Sequence, residues 1–272
     1  MDIATPRIVG ILNVTPDSFS DGGRYQDPDV AARRAEELWS DGAEWVDLGP
    51  ASSHPRAATV MASEEIRRLG PVLDRLRGHE ARLSVDSFQP ETQRYALSRG
   101  VSVLNDVRGF EWPELYPELA RAGCTLIVMH ALPRDPPMPP RDAGGADALW
   151  LHMERFFAAR VEALERAGVS RSRLILDPGM GFFLGSDPML SLDVLCGIAR
   201  LRDKLGLPVL IGVSRKSFLG TLTGRDVAER GAATLAAELF AADRGVDYIR
   251  THDVRALRDA LCVRAALSSV PG

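Results

Sequence analysis

Eight times along this chain a short apolar run is followed by an amphipathic stretch. The runs cover residues 8–12, 45–48, 82–85, 102–104, 125–129, 174–176, 208–213 and 248–249. The stretches that follow cover 29–40, 63–76, 90–98, 113–122, 146–167, 189–205, 228–242 and 254–267. Short apolar runs bounded by turn signals read as strands buried on both faces of a parallel sheet. Gly42, Gly100, Gly123, Gly168, Gly206 and Gly245 follow the amphipathic stretches, where a helix would stop. The 272 residues give 34 per unit, room for one strand, one helix and two loops. The pattern predicts a TIM (β/α)8 barrel, a fold of roughly 250 residues. A doubly wound open sheet is the runner-up, but no glycine-rich phosphate turn follows the first run. Residues 133–142, rich in proline and polar side chains, read as an irregular loop. With no linker or shift in composition, residues 1–272 read as one domain.

The charge balance narrows the partners. Lysine plus arginine is 33 against 37 for aspartate plus glutamate, a net charge of −4. That argues against a general nucleic-acid or membrane-surface binder and leaves room for a local basic pocket. No apolar stretch approaches the ~20 residues of a membrane span. Residues 1–6 lack a basic region followed by an apolar run, so a cytoplasmic location is expected. Cys124, Cys196 and Cys262, odd in number and widely spaced, fit neither a disulfide framework nor a zinc site. They are expected to be buried small hydrophobes.

In a TIM barrel the chemistry sits where the strands end. The runs lead in order to Asn13, Asp47, Asp86, Asn105-Asp106, His130, Asp177, Ser214-Arg215-Lys216-Ser217 and Arg250-Thr251-His252-Asp253. Each strand thus delivers a polar or ionisable group to one rim. Any of them could be a helix cap, yet all eight together suggest a convergent binding site. Asp86 and Asp177 could accept from the N–H edge of a heterocycle. Lys216 and Arg250, with Arg215, suit an anionic group, though Arg250 could instead clamp an aspartate structurally. His252 could exchange a proton near neutral pH. Asn13 could offer an oxygen to magnesium, which often binds through substrate phosphates. The polar loop 13–23, with Phe19, Asp21 and a double glycine, reads as a lid, and the loop 49–55 as a second candidate. The residues alone point to a barrel enzyme acting on a nitrogen heterocycle that bears phosphate, with magnesium.

At these positions the chain resembles dihydropteroate synthase over nearly its whole length. The segment Gly10-Ile11-Leu12-Asn13-Val14-Thr15-Pro16-Asp17-Ser18-Phe19-Ser20-Asp21-Gly22-Gly23 is similar to the family's first signature. Asp177-Pro178-Gly179-Met180-Gly181-Phe182, Ser214-Arg215-Lys216-Ser217 and Arg250-Thr251-His252-Asp253 are similar to its motifs after strands six, seven and eight. The resemblance implies that 4-aminobenzoate is joined to 6-hydroxymethyl-7,8-dihydropterin diphosphate, giving 7,8-dihydropteroate and diphosphate for folate synthesis. By the same resemblance, Asp86, Asn105, Asp177, Lys216, Met129 and Phe182 would hold the pterin. Asn13, Arg250 and His252 would hold the diphosphate, with Mg2+ beside Asn13. Ser53, Pro55, Phe182, Phe183, Arg215 and Ser217 would shape the 4-aminobenzoate site, and Phe19 and Asp21 would close over it. Asp86, Lys216, Arg250 and His252 would carry catalysis. Diphosphate would leave first, the pterin would carry the positive charge, and the aniline nitrogen would attack. The partners implied are these small molecules and a second copy of the chain, as a homodimer.

The chain departs from the family's pattern in three places. Where the second loop usually reads Glu-Ser-Thr-Arg-Pro-Gly, it has Ala51-Ser52-Ser53-His54-Pro55-Arg56. Phe183-Leu184 replaces the usual Gly-Lys, and Met129-His130-Ala131 the usual Met-His-Met. These changes, and the run from Asp86 to Leu97, resemble the branch that includes sulfonamide-insensitive synthases. Two rivals remain: a pterin-binding paralogue without turnover, and a methyltransferase of the pterin-binding barrel group.

Overall fold

The computed structural model describes residues 5–15, 27–52, 60–133 and 144–269. Among these residues, eight parallel strands form one sheet: β1 (Arg7–Asn13), β2 (Trp45–Gly49), β3 (Leu83–Asp86), β4 (Val103–Asp106), β5 (Thr125–Met129), β6 (Leu174–Asp177), β7 (Leu210–Ile211) and β8 (Tyr248–Thr251). Their order is β6-β5-β4-β3-β2-β1-β8-β7. A parallel bridge between Leu176 and Val209 joins the two ends, so the sheet closes into a barrel. Closure removes the edges at which a sheet would pair with other chains.

Among the described residues, ten helices surround it: α1 (Pro28–Ser40), α2 (Ala62–Arg75), α3 (Pro90–Ser98), α4 (Tyr116–Ala122), α5 (Gly145–Arg166), α6 (Pro188–Cys196), α7 (Ala199–Leu205), α8 (Ser217–Thr223), α9 (Gly231–Asp243) and α10 (Val254–Ser268). The expected helix over 189–205 is two, α6 and α7, parted at Gly197-Ile198. The short α8 was not expected. Asp27, Asp187 and Asp253 cap α1, α6 and α10 by accepting from backbone N–H groups of the first turn. None of the helices is long and apolar enough, among the described residues, to cross a membrane. Cys124 is buried as expected, but Cys196 and Cys262 are exposed on helix surfaces, which corrects the expectation for those two.

The period-two alternation of the strands builds the site. Pairing places Val9 beside Trp45, Ser84 beside Val103, and Ile127 beside Ile175. Of these, Val9, Trp45, Val103, Ile127 and Ile175 form with Leu210 and Tyr248 a dry layer low in the barrel. Trp45 and Tyr248 stack at 5.0 Å, and the Arg7 guanidinium lies 4.1 Å from the Tyr248 ring. Two residues further along, the inward positions of β2 to β8 carry Asp47, Asp86, Asn105, Met129, Asp177, Gly212 and Arg250, and that of β1 carries Ile11. The outward positions, such as Leu12, Leu48, Val85, Leu104, Val128 and Leu176, pack under the helices in the main core.

Candidate active site

The floor of the upper barrel is a set of buried polar bonds. Arg250 donates from Nε to Asp47 Oδ2 at 2.6 Å and from Nη2 to Asp86 Oδ2 at 3.0 Å. Asp47 also accepts from Ser84 Oγ at 2.5 Å and from Asn105 Nδ2 at 3.0 Å. A carboxylate can only accept, so the Asn105 nitrogen must face Asp47 and its oxygen must face away. That oxygen, Asn105 Oδ1, is buried and has no hydrogen-bond partner.

Above this floor, Asp86, Asn105, Val107, Met129, Asp177, Gly179, Met180, Phe183, Gly212, Lys216 and Arg250 line a pocket with about 330 Å³ of unfilled space, part of it open to solvent. Burial pushes the Asp86 carboxyl up to about 7, even though the charge of Arg250 pulls it down. Burial likewise raises Asp177 to about 6. Lys216 is lowered to about 8, by burial first and then by the charge of Arg250. Its ammonium lies 4.8 Å from the Phe183 ring centroid, in range for a cation–π contact. The pocket therefore presents three acceptor groups, Asp86, Asn105 and Asp177, beside two cations, Lys216 and Arg250.

A second region lies beside β8. His252 Nδ1 is 2.9 Å from Ser214 Oγ. The His252 ring is held well below its usual pKa, by burial and then by Arg215, Arg250, Lys216 and Arg34. Four cations converging on one neutral imidazole make a field that favours an anion. Arg215 adopts φ +57°, a strained backbone for a side-chain-bearing residue. Its carbonyl accepts from Arg230 Nη1 at 3.0 Å and its N–H donates to Thr234 Oγ1 at 3.0 Å. Arg230 and Thr234 thus hold the strand-seven loop in the bend that sends Lys216 into the pocket.

The loops after β6 and β7 meet at Gly181, where a Cβ would stand 3.0 Å from Ser217 Oγ. Gly49 is similarly constrained, because a Cβ there would lie 2.9 Å from Asn13 Oδ1. Asn13 ends β1 on the same rim.

Of the residues singled out from the sequence, Asp86, Asn105, Met129, Asp177, Phe183, Lys216 and Arg250 come together in one pocket. His252 and Arg215 stand at its strand-eight side. Phe182, expected to serve both pterin and 4-aminobenzoate, is 51% exposed and does not line the pocket, whereas its neighbour Phe183 does. His130 does not join the polar rim. It follows the inward-facing Met129 and turns the other way, against α5. Phe19, Asp21, Ser53 and Pro55, with His54 and Arg56, lie outside the described residues.

Residues 9–252 match the family described as "Pterin binding enzyme". Over 260 residues the chain is 55% identical to the type-2 dihydropteroate synthase of Escherichia coli, with 96% of this chain and 95% of that one covered. The chain belongs to the dihydropteroate synthase family. Solved structures of the Xanthomonas albilineans dihydropteroate synthase agree. The form with 4-aminobenzoic acid is 40% identical, with a TM-score of 0.87 covering 99% of this chain and 95% of that one. The complex with 7,8-dihydropteroate is 38% identical, with a TM-score of 0.82 covering 100% and 97%.

In this dihydropteroate synthase fold, Asp47 has a part that its place in the sequence does not show. Asp47 lies near the end of the second strand and anchors Arg250. Its signal was parity: a charge at an inward position of a strand must find partners inside the barrel. Gly179, Met180 and Gly212 line the pocket with backbone or apolar groups, for which strand-end polarity gives no signal.

Proposed function

We propose that this chain is a dihydropteroate synthase, condensing 6-hydroxymethyl-7,8-dihydropterin diphosphate with 4-aminobenzoate to give 7,8-dihydropteroate and diphosphate. The observation that carries the substrate assignment is the unpartnered Asn105 Oδ1 beside two carboxyls with raised pKa. Such acceptors call for a ligand with several N–H donors, and the aminopyrimidinone edge of a pterin provides them. Unmet buried acceptors also reject analogues lacking the donors far more strongly than an apolar pocket would.

In this reading Asp86, Asn105 and Asp177 hold the pterin edge, Met129 contacts its ring, and Phe183 caps it over Lys216. As diphosphate departs, positive charge grows on the pterin methylene. The two carboxylates are already in place to stabilise it without reorganisation. Arg250 and neutral His252 receive the leaving diphosphate, while Lys216 donates to the pterin. His252 can donate a hydrogen bond from its remaining ring nitrogen, since Nδ1 faces Ser214. The aniline nitrogen of 4-aminobenzoate then attacks from the side of Arg215, Ser217 and Phe183.

The donor set fits magnesium only in part. Among the described residues no three His, Cys, Asp or Glu side chains cluster to hold a metal. A lone amide oxygen at Asn13 suits a cation that arrives on the substrate's phosphates. When bound there, the ion would neutralise charge on the departing diphosphate. The same reading takes the enzyme as a cytoplasmic homodimer.

Calorimetry tests the substrate assignment. The pterin should bind, and its 2-oxo analogue, which presents an acceptor where the amino group was, should bind at least tenfold more weakly. Equal binding of the two would refute it.

A further inference from the structure

His130 follows the last residue of β5 and is fully buried, yet it does not line the pocket. Its backbone N–H donates to the Asp177 carbonyl at 2.8 Å. Its ring Nδ1 lies 3.1 Å from the Pro178 carbonyl. Two residues on, the Leu132 N–H donates to the Phe183 carbonyl at 2.9 Å. Residues 130–132 are therefore laced to the loop that carries Asp177, Gly179, Met180 and Phe183 into the pocket. The approach is close: Gly179, at φ +70°, would place a Cβ 2.3 Å from the His130 carbonyl oxygen. Only glycine lets the two segments meet.

The other face of the ring is equally determined. His130 Nε2 lies 3.0 Å from Nδ1 of His152 on α5. The Phe156 and Phe157 rings enclose it at 5.3 and 6.1 Å. A carbonyl can only accept, so His130 Nδ1 must carry its hydrogen and Nε2 its lone pair. His152 Nδ1 must then be the donor. Burial keeps His130 neutral, with a pKa near 4. Without the His152 donor, the enclosed Nε2 would be an unmet acceptor. The alternative tautomer would turn the Nδ1 lone pair against the Pro178 oxygen.

We propose that His130, held in one tautomer by His152, is a positioning residue that fixes the strand-six loop and so sets Asp177 and Phe183 in the pterin pocket. This rests on the reading of that pocket as the pterin site, but the device itself can be tested without substrate. His152 lies outside the pocket and touches no group assigned to the reaction.

The test compares His152→Leu, which removes the donor, with His152→Asn, whose side-chain amide can donate from about the position of Nδ1. Two readouts are taken on the full-length protein. The first is hydrogen exchange at the Leu132 amide, whose acceptor is Phe183. Exchange should quicken about tenfold or more in His152→Leu and stay within about threefold of the parent in His152→Asn. The second is steady-state kinetics, where KM for the pterin diphosphate should rise about tenfold in His152→Leu with kcat nearly unchanged, and His152→Asn should restore it. Unchanged exchange in His152→Leu overturns the proposal, as does an equal rise in both variants. If the parent protein exchanges as expected but shows no turnover, the synthase reading fails while the loop device stands.

Discussion

Arg250 Nε lies 2.6 Å from Asp47 Oδ2 at the floor of the barrel, and Asp47 is closed off from water. The cation assigned to the diphosphate is thus anchored from beneath by a carboxylate that makes no contact with the pocket. Removing one partner of a buried ion pair leaves the other charge uncompensated, at about 3–5 kcal/mol. Asp47→Ala should lower the unfolding free energy by that order in urea titration. Asp47→Asn, which preserves shape and the bond from Ser84, should lose less stability and still lose most turnover. Wild-type activity in Asp47→Asn would show that Arg250 needs no anchor.

The pocket groups set a pH dependence. In the free enzyme Asp86 titrates near 7 and Asp177 near 6, and both must be charged to accept fully from the pterin. Lys216 titrates near 8 and must stay protonated to donate fully to the pterin. The profile of kcat/KM, which reports free-enzyme groups, should therefore rise as pH passes about 6 to 7 and fall above about 8. Lys216→Arg keeps the charge at every accessible pH, so its falling limb should vanish. A falling limb retained near 8 in that variant would assign it to another group.

Glu238, on α9, is buried against the outward face of β8, and its Oε1 has no hydrogen-bond partner. Burial raises its carboxyl from 4.5 to about 8. Between those values the native state binds a proton that the unfolded chain has released, so stability falls as pH rises through this window. Glu238→Gln carries no charge in either state. The variant should lose that slope and gain about 1–3 kcal/mol over the parent near pH 9, an unmet buried group being worth about that much. Denaturant titrations near pH 6 and pH 9 measure both. Parallel curves for parent and variant would mean that Glu238 is already ionised in the fold.

Phe183 stands where the family usually has glycine, and its ring lines the pocket beside Lys216 instead of joining the core. A ring at this rim can exclude the bulkier head of a sulfonamide while admitting flat 4-aminobenzoate. Phe183→Gly should lower the inhibition constant of a sulfonamide by tenfold or more. KM for the pterin diphosphate should rise modestly as the contact with Lys216 is lost. If both the inhibition constant and KM for 4-aminobenzoate stay as they were, the ring has no part in discrimination.

The barrel was legible because closure repeats one pattern eight times, and each repeat could be read alone. Asp86, Asn105, Asp177, Lys216 and Arg250 were legible because they sit at or just beyond the ends of their apolar runs. Asp47 looked the same in sequence, but its task depends on registers that set it beside Ser84 and within reach of Arg250. His130 also looked the same, and a single step of parity turns it out of the barrel. Helix α8 went unseen because it is seven residues long and starts directly after Lys216, where a strand-seven motif masks the helical pattern. Phe182 and Phe183 are neighbours in a short 3-10 turn, so composition alone cannot say which ring faces the pocket.

The central claim is that this pocket makes 7,8-dihydropteroate. The most direct measurement is product formation from the dihydropterin diphosphate and 4-aminobenzoate with magnesium present, followed by mass spectrometry, in the parent and in Asp177→Ala. The parent should form dihydropteroate and diphosphate in equal amounts, and folded Asp177→Ala should form little of either and bind pterin poorly. A parent that binds the pterin and forms no product would instead be a pterin-binding relative without turnover. Undiminished synthesis in Asp177→Ala would place the chemistry somewhere other than this pocket.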